Sequence, residues 1–141
     1  MKRSASAVWQ GSLKEGRGTL TAPSGAFKET PYSFQSRFES APATNPEELI
    51  AAAHAGCFSM ALSNILGKNN ATAERIATTA NLSFEQVNGA WTITAIHLDL
   101  VAKVPGIDQA KLETYANEAK ANCPVSRVLK ADITMTAKLE A

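Results

Sequence analysis

Residues 45–67, NPEELIAAAHAGCFSMALSNILG, make the least polar long run in the chain. Asn45 can cap a helix with its side-chain oxygen, Pro46 suits the first helical position, and Glu48 stands three residues past the cap as a capping-box acid does. Gly67 takes the C′ role that closes a helix. The run predicts one helix over 46–66, about 30 Å long. Alanines fill it and apolar residues face almost every direction, which predicts burial on most sides. One small sheet offers too little cover for such a helix, so a homodimer is expected. Cys57 sits in the middle of the run, between Gly56 and Phe58.

The whole chain has 141 residues and a mass of 14.9 kDa, the size of one domain with a single core, taken as 1–141. Fourteen Lys and Arg against thirteen Asp and Glu leave a net charge of +1. That balance speaks against nucleic acid or an anionic membrane as partner. The opening MKRSASAVWQGSLKEG has two basic residues but no apolar run behind them, so it does not read as a secretory signal. No stretch is expected to approach the roughly 20 apolar residues that span a bilayer. A cytoplasmic protein is therefore expected, in a compartment that keeps thiols reduced. Two cysteines there mean inert packing, a metal site or redox chemistry, with a structural disulfide the weakest option.

Ahead of the apolar run, SASAVWQG reads as a strand, RGTLTAPSG as a second ending in a turn, and PYSFQSRFES as a third. In that third segment strand alternation puts Tyr32, Phe34 and Phe38 on one face and Gln35, Arg37 and Glu39 on the other. Behind the run, RIATTANLSFEQV and AWTITAIHLDLVAKV flank Asn88-Gly89, the signature of a hairpin with a type I′ turn. Apolar residues change phase near Ala95, which predicts a bulge. PGIDQAKLETYANEAKAN is a second helix, and ADITMTAKLEA alternates as a last strand. Strands grouped around two main helices give an α+β fold with a largely antiparallel sheet.

Cys57 by itself fits a small residue in a helix contact, because free cysteine is among the most often buried residue types. Cys123 precedes Pro124, which cannot continue the helix before it. If Pro124 opens a new turn, Cys123 is its N-cap, where backbone N–H groups and the helix dipole favour a thiolate. The pair matters only if the fold brings the two Cα atoms within about 7 Å.

The stretches TNPEELIAAAHAGCFSMAL and ANCPVSRVLKADI strongly resemble the OsmC/Ohr family, and within it the osmotically inducible protein C branch. The likeness extends over GRGTL, PYSFQSRFE and VPGID, so it covers essentially the whole chain. It implies an OsmC-like fold, an intertwined homodimer, and a thiol peroxidase that reduces organic hydroperoxides and hydrogen peroxide without haem, flavin or metal. By that resemblance Cys57 is the peroxidatic cysteine and Cys123 the resolving one, while Arg37 and Glu47 match the family's catalytic Arg and Glu. An external dithiol, of the lipoyl type used in the Ohr branch, is the implied reductant. That branch often carries Tyr where this chain has His54, so no role is carried over to His54.

The chemistry explains why such residues are needed. A cysteine of ordinary pKa is only a few per cent thiolate at neutral pH, and burial lowers that fraction. A cation beside Cys57 reverses this, and a guanidinium stays charged in any environment. Glu47 can hold Arg37 in place; the plainer readings are a solvated strand residue for Arg37 and a helix-dipole partner for Glu47. On a continuous helix Glu47 lies about 15 Å from Cys57 and on another face. Arg37 and Glu47 are therefore expected to meet Cys57 across the dimer interface. Two rival readings remain at this stage. One is a metal set from His54, Cys57, His97 and Cys123, without the paired spacing that marks such sites. The other is a non-catalytic stress dimer with an apolar ligand pocket.

Overall fold

The computed structural model describes all 141 residues. Their contacts form two compact units, Met1–Leu49 and Ile50–Ala141. Together they hold two three-stranded sheets and four helices, the α+β class expected, with two long helices and two of a single turn or little more.

In the first unit β1 (Ser6–Gln10), β2 (Arg17–Thr21) and β3 (Thr30–Tyr32) form an antiparallel sheet in that order. Trp9 and Tyr32 both stand opposite Gly18, from either side of β2. Their rings meet at 5.4 Å between centroids. A Cβ on Gly18 would overlap the Tyr32 ring and lie 2.7 Å from the Trp9 ring, so only glycine allows the two aromatics to close over the strand.

The third strand is shorter than its alternation predicts. Phe34–Phe38 is a helix, α1, and not strand. Ser33 and Ser36 cap it reciprocally: the Ser36 N–H donates to Ser33 Oγ at 3.1 Å and the Ser33 N–H to Ser36 Oγ at 2.9 Å. The Phe34 and Phe38 rings, four residues apart and neighbours on a helix, pack at 4.9 Å. A local cap thus outweighs an apolar alternation that is too short to fix a strand.

α2 spans Pro46–Lys68. Asn45 caps it as expected, accepting the Glu48 N–H at 2.7 Å. The reciprocal capping-box bond is replaced by one from Thr44 Oγ1 to the Glu48 carboxylate at 2.8 Å. The helix runs two residues past the predicted end. Gly67 stays helical, and Asn70, with φ +58°, takes the left-handed turn instead. Two further expectations for this run are corrected. At 23 residues it is long and apolar enough to cross a membrane by length and composition, a test that core helices of soluble proteins also pass. Nor is it buried on most sides within one chain: Ala52, Ala53, Gly56, Ser63 and Gly67 are exposed, and Met60 is 77% exposed. Phe58, Leu62, Ile65 and Leu66 commit one side of it to the core, with Ile50, Cys57 and Ala61 partly buried against them.

The second unit is built on β4 (Arg75–Val87) and β5 (Ala90–Lys103), an antiparallel hairpin. Asn88 and Gly89 turn it with φ of +51° and +81°. The register steps where Ser83 faces Ala95 and Phe84 faces Ile93, so Thr94 is the bulged residue beside the predicted site. β6 (Asp132–Leu139) joins the other edge of β5 in parallel. A parallel neighbour needs a crossover, supplied by α3 (Gln109–Asn122) and α4 (Pro124–Val128). Ile96, Leu98 and Leu100 on the central strand, Leu112 and Ala116 on α3, and Phe58 on α2 belong to one buried cluster. Cys123, fully buried, belongs to it too.

Candidate active site

The four residues singled out in the sequence come together as two pairs. In the first unit Arg37, on α1 and not on a strand, grips Glu47 in the first turn of α2. Nε donates to both carboxylate oxygens at 3.1 and 3.2 Å, and Nη2 donates to Oε1 at 2.8 Å. Glu47 is buried, whereas the Arg37 side chain is 37% exposed. The guanidinium carbon also lies 5.2 Å from the Phe38 ring centroid. A forked pair of this kind fixes the orientation of the guanidinium as well as its position. Beside it, Trp9, Tyr32, Phe34, Phe38 and Leu13 join Arg37 and Ser33 around a cavity of about 220 Å³.

In the second unit Cys57 and Cys123 are both free thiols, and Cys123 Sγ donates to Cys57 Sγ at 2.9 Å. Cys123 ends α3 and begins α4, as Pro124 predicts, but its side chain caps neither. The amide at the start of α4 serves the other sulfur: the Val125 N–H is hydrogen-bonded to Cys57. Burial pushes the Cys57 thiol above its ordinary pKa, the Cys123 thiol adds to the rise, and the Val125 amide opposes it. No cation acts among these groups. A thiolate at Cys57 needs one from elsewhere.

His54, one helical turn before Cys57, is fully buried. Its Nε2 is 2.7 Å from Ser126 Oγ, while Nδ1 is buried without a partner. Desolvation lowers its pKa, which keeps the ring neutral. His97 lies on the sheet, with ring nitrogens 2.6 Å from Thr134 Oγ1 and 2.9 Å from Thr136 Oγ1. No three His, Cys, Asp or Glu side chains converge as a metal set would require, so the four-ligand arrangement of His54, Cys57, His97 and Cys123 is not formed. Sequence reasoning missed Ser126 and the Val125 amide. The one signal was spacing: Ser126 follows Cys123 by three residues, as Cys57 follows His54.

The profile described as OsmC-like protein matches residues 38–138. Among known proteins the chain is 48% identical over 134 residues to peroxiredoxin OsmC of Escherichia coli (strain K12), covering 95% of this chain and 94% of that protein. It is 30% identical over 97 residues to the organic hydroperoxide resistance protein of Xanthomonas axonopodis pv. citri (strain 306), covering 68% and 66% of the two chains. In fold it is similar to an OsmC-like protein of Vibrio cholerae, with a TM-score of 0.78 at 17% identity over 97% of this chain and 99% of the other. The organic hydroperoxide resistance protein OhrB of Bacillus subtilis gives 0.70 at 22% identity over 97% and 98%. With the family profile spanning most of its length, this chain belongs to the OsmC-like protein family.

Proposed function

We propose that the protein is a cysteine-based hydroperoxide reductase that acts on organic hydroperoxides and on hydrogen peroxide. One observation carries the reading: two free thiols 66 positions apart in sequence meet at 2.9 Å in a single chain. The names of its relatives, a peroxiredoxin and an organic hydroperoxide resistance protein, point the same way.

In the proposed cycle the Cys57 thiolate attacks one oxygen of the peroxide. The O–O bond breaks, alcohol or water leaves with the other oxygen, and Cys57 becomes a sulfenic acid. The Cys123 thiol then condenses with it, forming the S–S bond and releasing water. An external dithiol, of lipoyl type in this reading, takes the disulfide back to two thiols and is itself oxidised. That reductant pool belongs to a reducing compartment, which fits a cytoplasmic enzyme.

The cation that Cys57 lacks is assigned to Arg37, oriented by Glu47 and contributed by a second copy of the chain in a homodimer. The same guanidinium can donate to the peroxide oxygen as charge develops on it. The aromatic cavity at Arg37 suits the organic substituent of the peroxide, since stacking and apolar burial reward it there.

Cumene hydroperoxide consumption with a dithiol, compared between wild type and Cys57→Ser, tests the proposal. Turnover in the wild type and its loss in the variant are expected. An unchanged rate in Cys57→Ser sinks it and leaves a dimer that binds a small apolar ligand in the cavity.

A further inference from the structure

We infer that His54 and Ser126 are positioning residues that clamp α4 onto α2 and so set the reach of Cys123 to Cys57. The inference rests on Cys57 and Cys123 being a redox pair. α4 has only five residues, too few to hold a shape of its own in water, so tertiary links fix its place. Two side-chain links join it and its N-cap to α2. One is the thiol contact between Cys123 and Cys57 at 2.9 Å. The other lies one turn away on both helices, between Ser126 Oγ and His54 Nε2 at 2.7 Å. A third contact, the Val125 N–H on Cys57, comes from the same short helix.

The His54 ring has no other polar tie. It is fully buried and Nδ1 is unpartnered, so Ser126 is its one hydrogen-bond partner. Burying an imidazole for a single bond is costly, and a packing role alone is better met by leucine. What this bond adds is orientation. It restrains α4 while both sulfurs are still reduced, which raises the effective concentration of one thiol at the other.

The disulfide's equilibrium with glutathione reads this restraint without any peroxide. Two protein thiols and one glutathione disulfide give one protein disulfide and two glutathiones, with two electrons passing to the glutathione sulfurs. Wild type, Ser126→Ala, Ser126→Thr, His54→Leu and the Ser126→Ala/His54→Leu double variant are equilibrated in graded buffers and the Cys57–Cys123 disulfide is quantified by alkylation and mass spectrometry. Ser126→Ala and His54→Leu should each lower the equilibrium constant for disulfide formation about tenfold, a potential about 30 mV higher. The double variant should fall no further than either alone, because the two act through one bond. Ser126→Thr, which keeps the hydroxyl, should return to within about twofold of wild type. Loss of fold stability shared by both redox states would leave the potential where it was. An unmoved potential in both single variants, or effects that simply add, overturns the clamp. A wild type that forms no such disulfide in any buffer overturns the redox pairing, and the clamp with it.

Discussion

Arg37 holds Glu47 through three hydrogen bonds of 2.8–3.2 Å, made by two of its nitrogens to the two oxygens of one carboxylate. Glu47 is the buried member and Arg37 the partly exposed one. The pair thus spends an acid's burial to aim a cation, a costly arrangement where only stability is at stake.

Arg37→Lys should therefore lose far more activity than stability. Lysine keeps the charge but not the fork, and removal of one aligned donor costs about 10²–10³ in rate where it acts on developing charge. Glu47→Gln should lose a similar factor. Stability should fall by about 1–2 kcal/mol in either variant, less than for a fully buried pair, because the arginine reaches solvent. Steady-state peroxide kinetics and urea midpoints of the two variants check both numbers.

The site assigned to two copies of the chain makes a sharper prediction. Cys57→Ser and Arg37→Ala homodimers should each be inactive. Mixed by unfolding and refolding together, they should recover about a quarter of wild-type activity, since half the dimers are mixed and each carries one intact site by two-fold symmetry. Absence of recovery in a population shown to contain mixed dimers contradicts that assignment.

Removing the guanidinium also has a pH signature. Burial and the Cys123 thiol raise the Cys57 pKa, and in Arg37→Ala nothing cationic opposes them. The thiolate absorbance of that variant should therefore appear only above the ordinary cysteine range of about 8.5–9, whereas wild type should ionise below it. In reduced Arg37→Ala the folded state keeps a proton that the unfolded chain releases. The associated stability is fully present below about pH 9 and is lost as pH rises past it. Urea titrations of Arg37→Ala against the Arg37→Ala/Cys57→Ser double variant isolate the effect.

His54 gives the opposite slope. Its pKa is lowered by desolvation, so the unfolded chain takes up a proton near pH 6.5 that the folded chain refuses. The stability this contributes is complete above that pH and is lost as pH falls through the lowered folded-state pKa. Wild type should lose stability relative to His54→Gln as pH falls below 6.5, measured by chemical denaturation at graded pH.

The particulars show what a linear reading can and cannot reach. The Asn88-Gly89 turn, the Asn45 cap, the α3 helix and the bulge near Ala95 are local, and each follows from residues within a few positions. The Ser33–Ser36 cap was equally local, yet the apolar alternation of Tyr32, Phe34 and Phe38 concealed it. The parallel pairing of β6 with β5 depends on a crossover through α3 and α4 that no strand pattern encodes. α2 read as buried on most sides because Ala and Gly score as apolar. Met60 and Gly56 show that a single chain leaves one side of it uncovered. At the site, residue types and resemblance picked out Cys57, Cys123, Arg37 and Glu47. The Val125 amide and Ser126 were invisible, since a backbone N–H and a buried hydroxyl carry no signature until the chain is folded.

The central claim is that the Cys57 and Cys123 sulfurs of one chain act as successive partners of a peroxide. It is tested most directly by counting and mapping thiols before and after one equivalent of cumene hydroperoxide. The account predicts two free thiols before and none after, with a mass two hydrogens lower and one peptide linking Cys57 to Cys123 within a monomer-sized chain. Two thiols still free, or a bridge found only between chains, would contradict it.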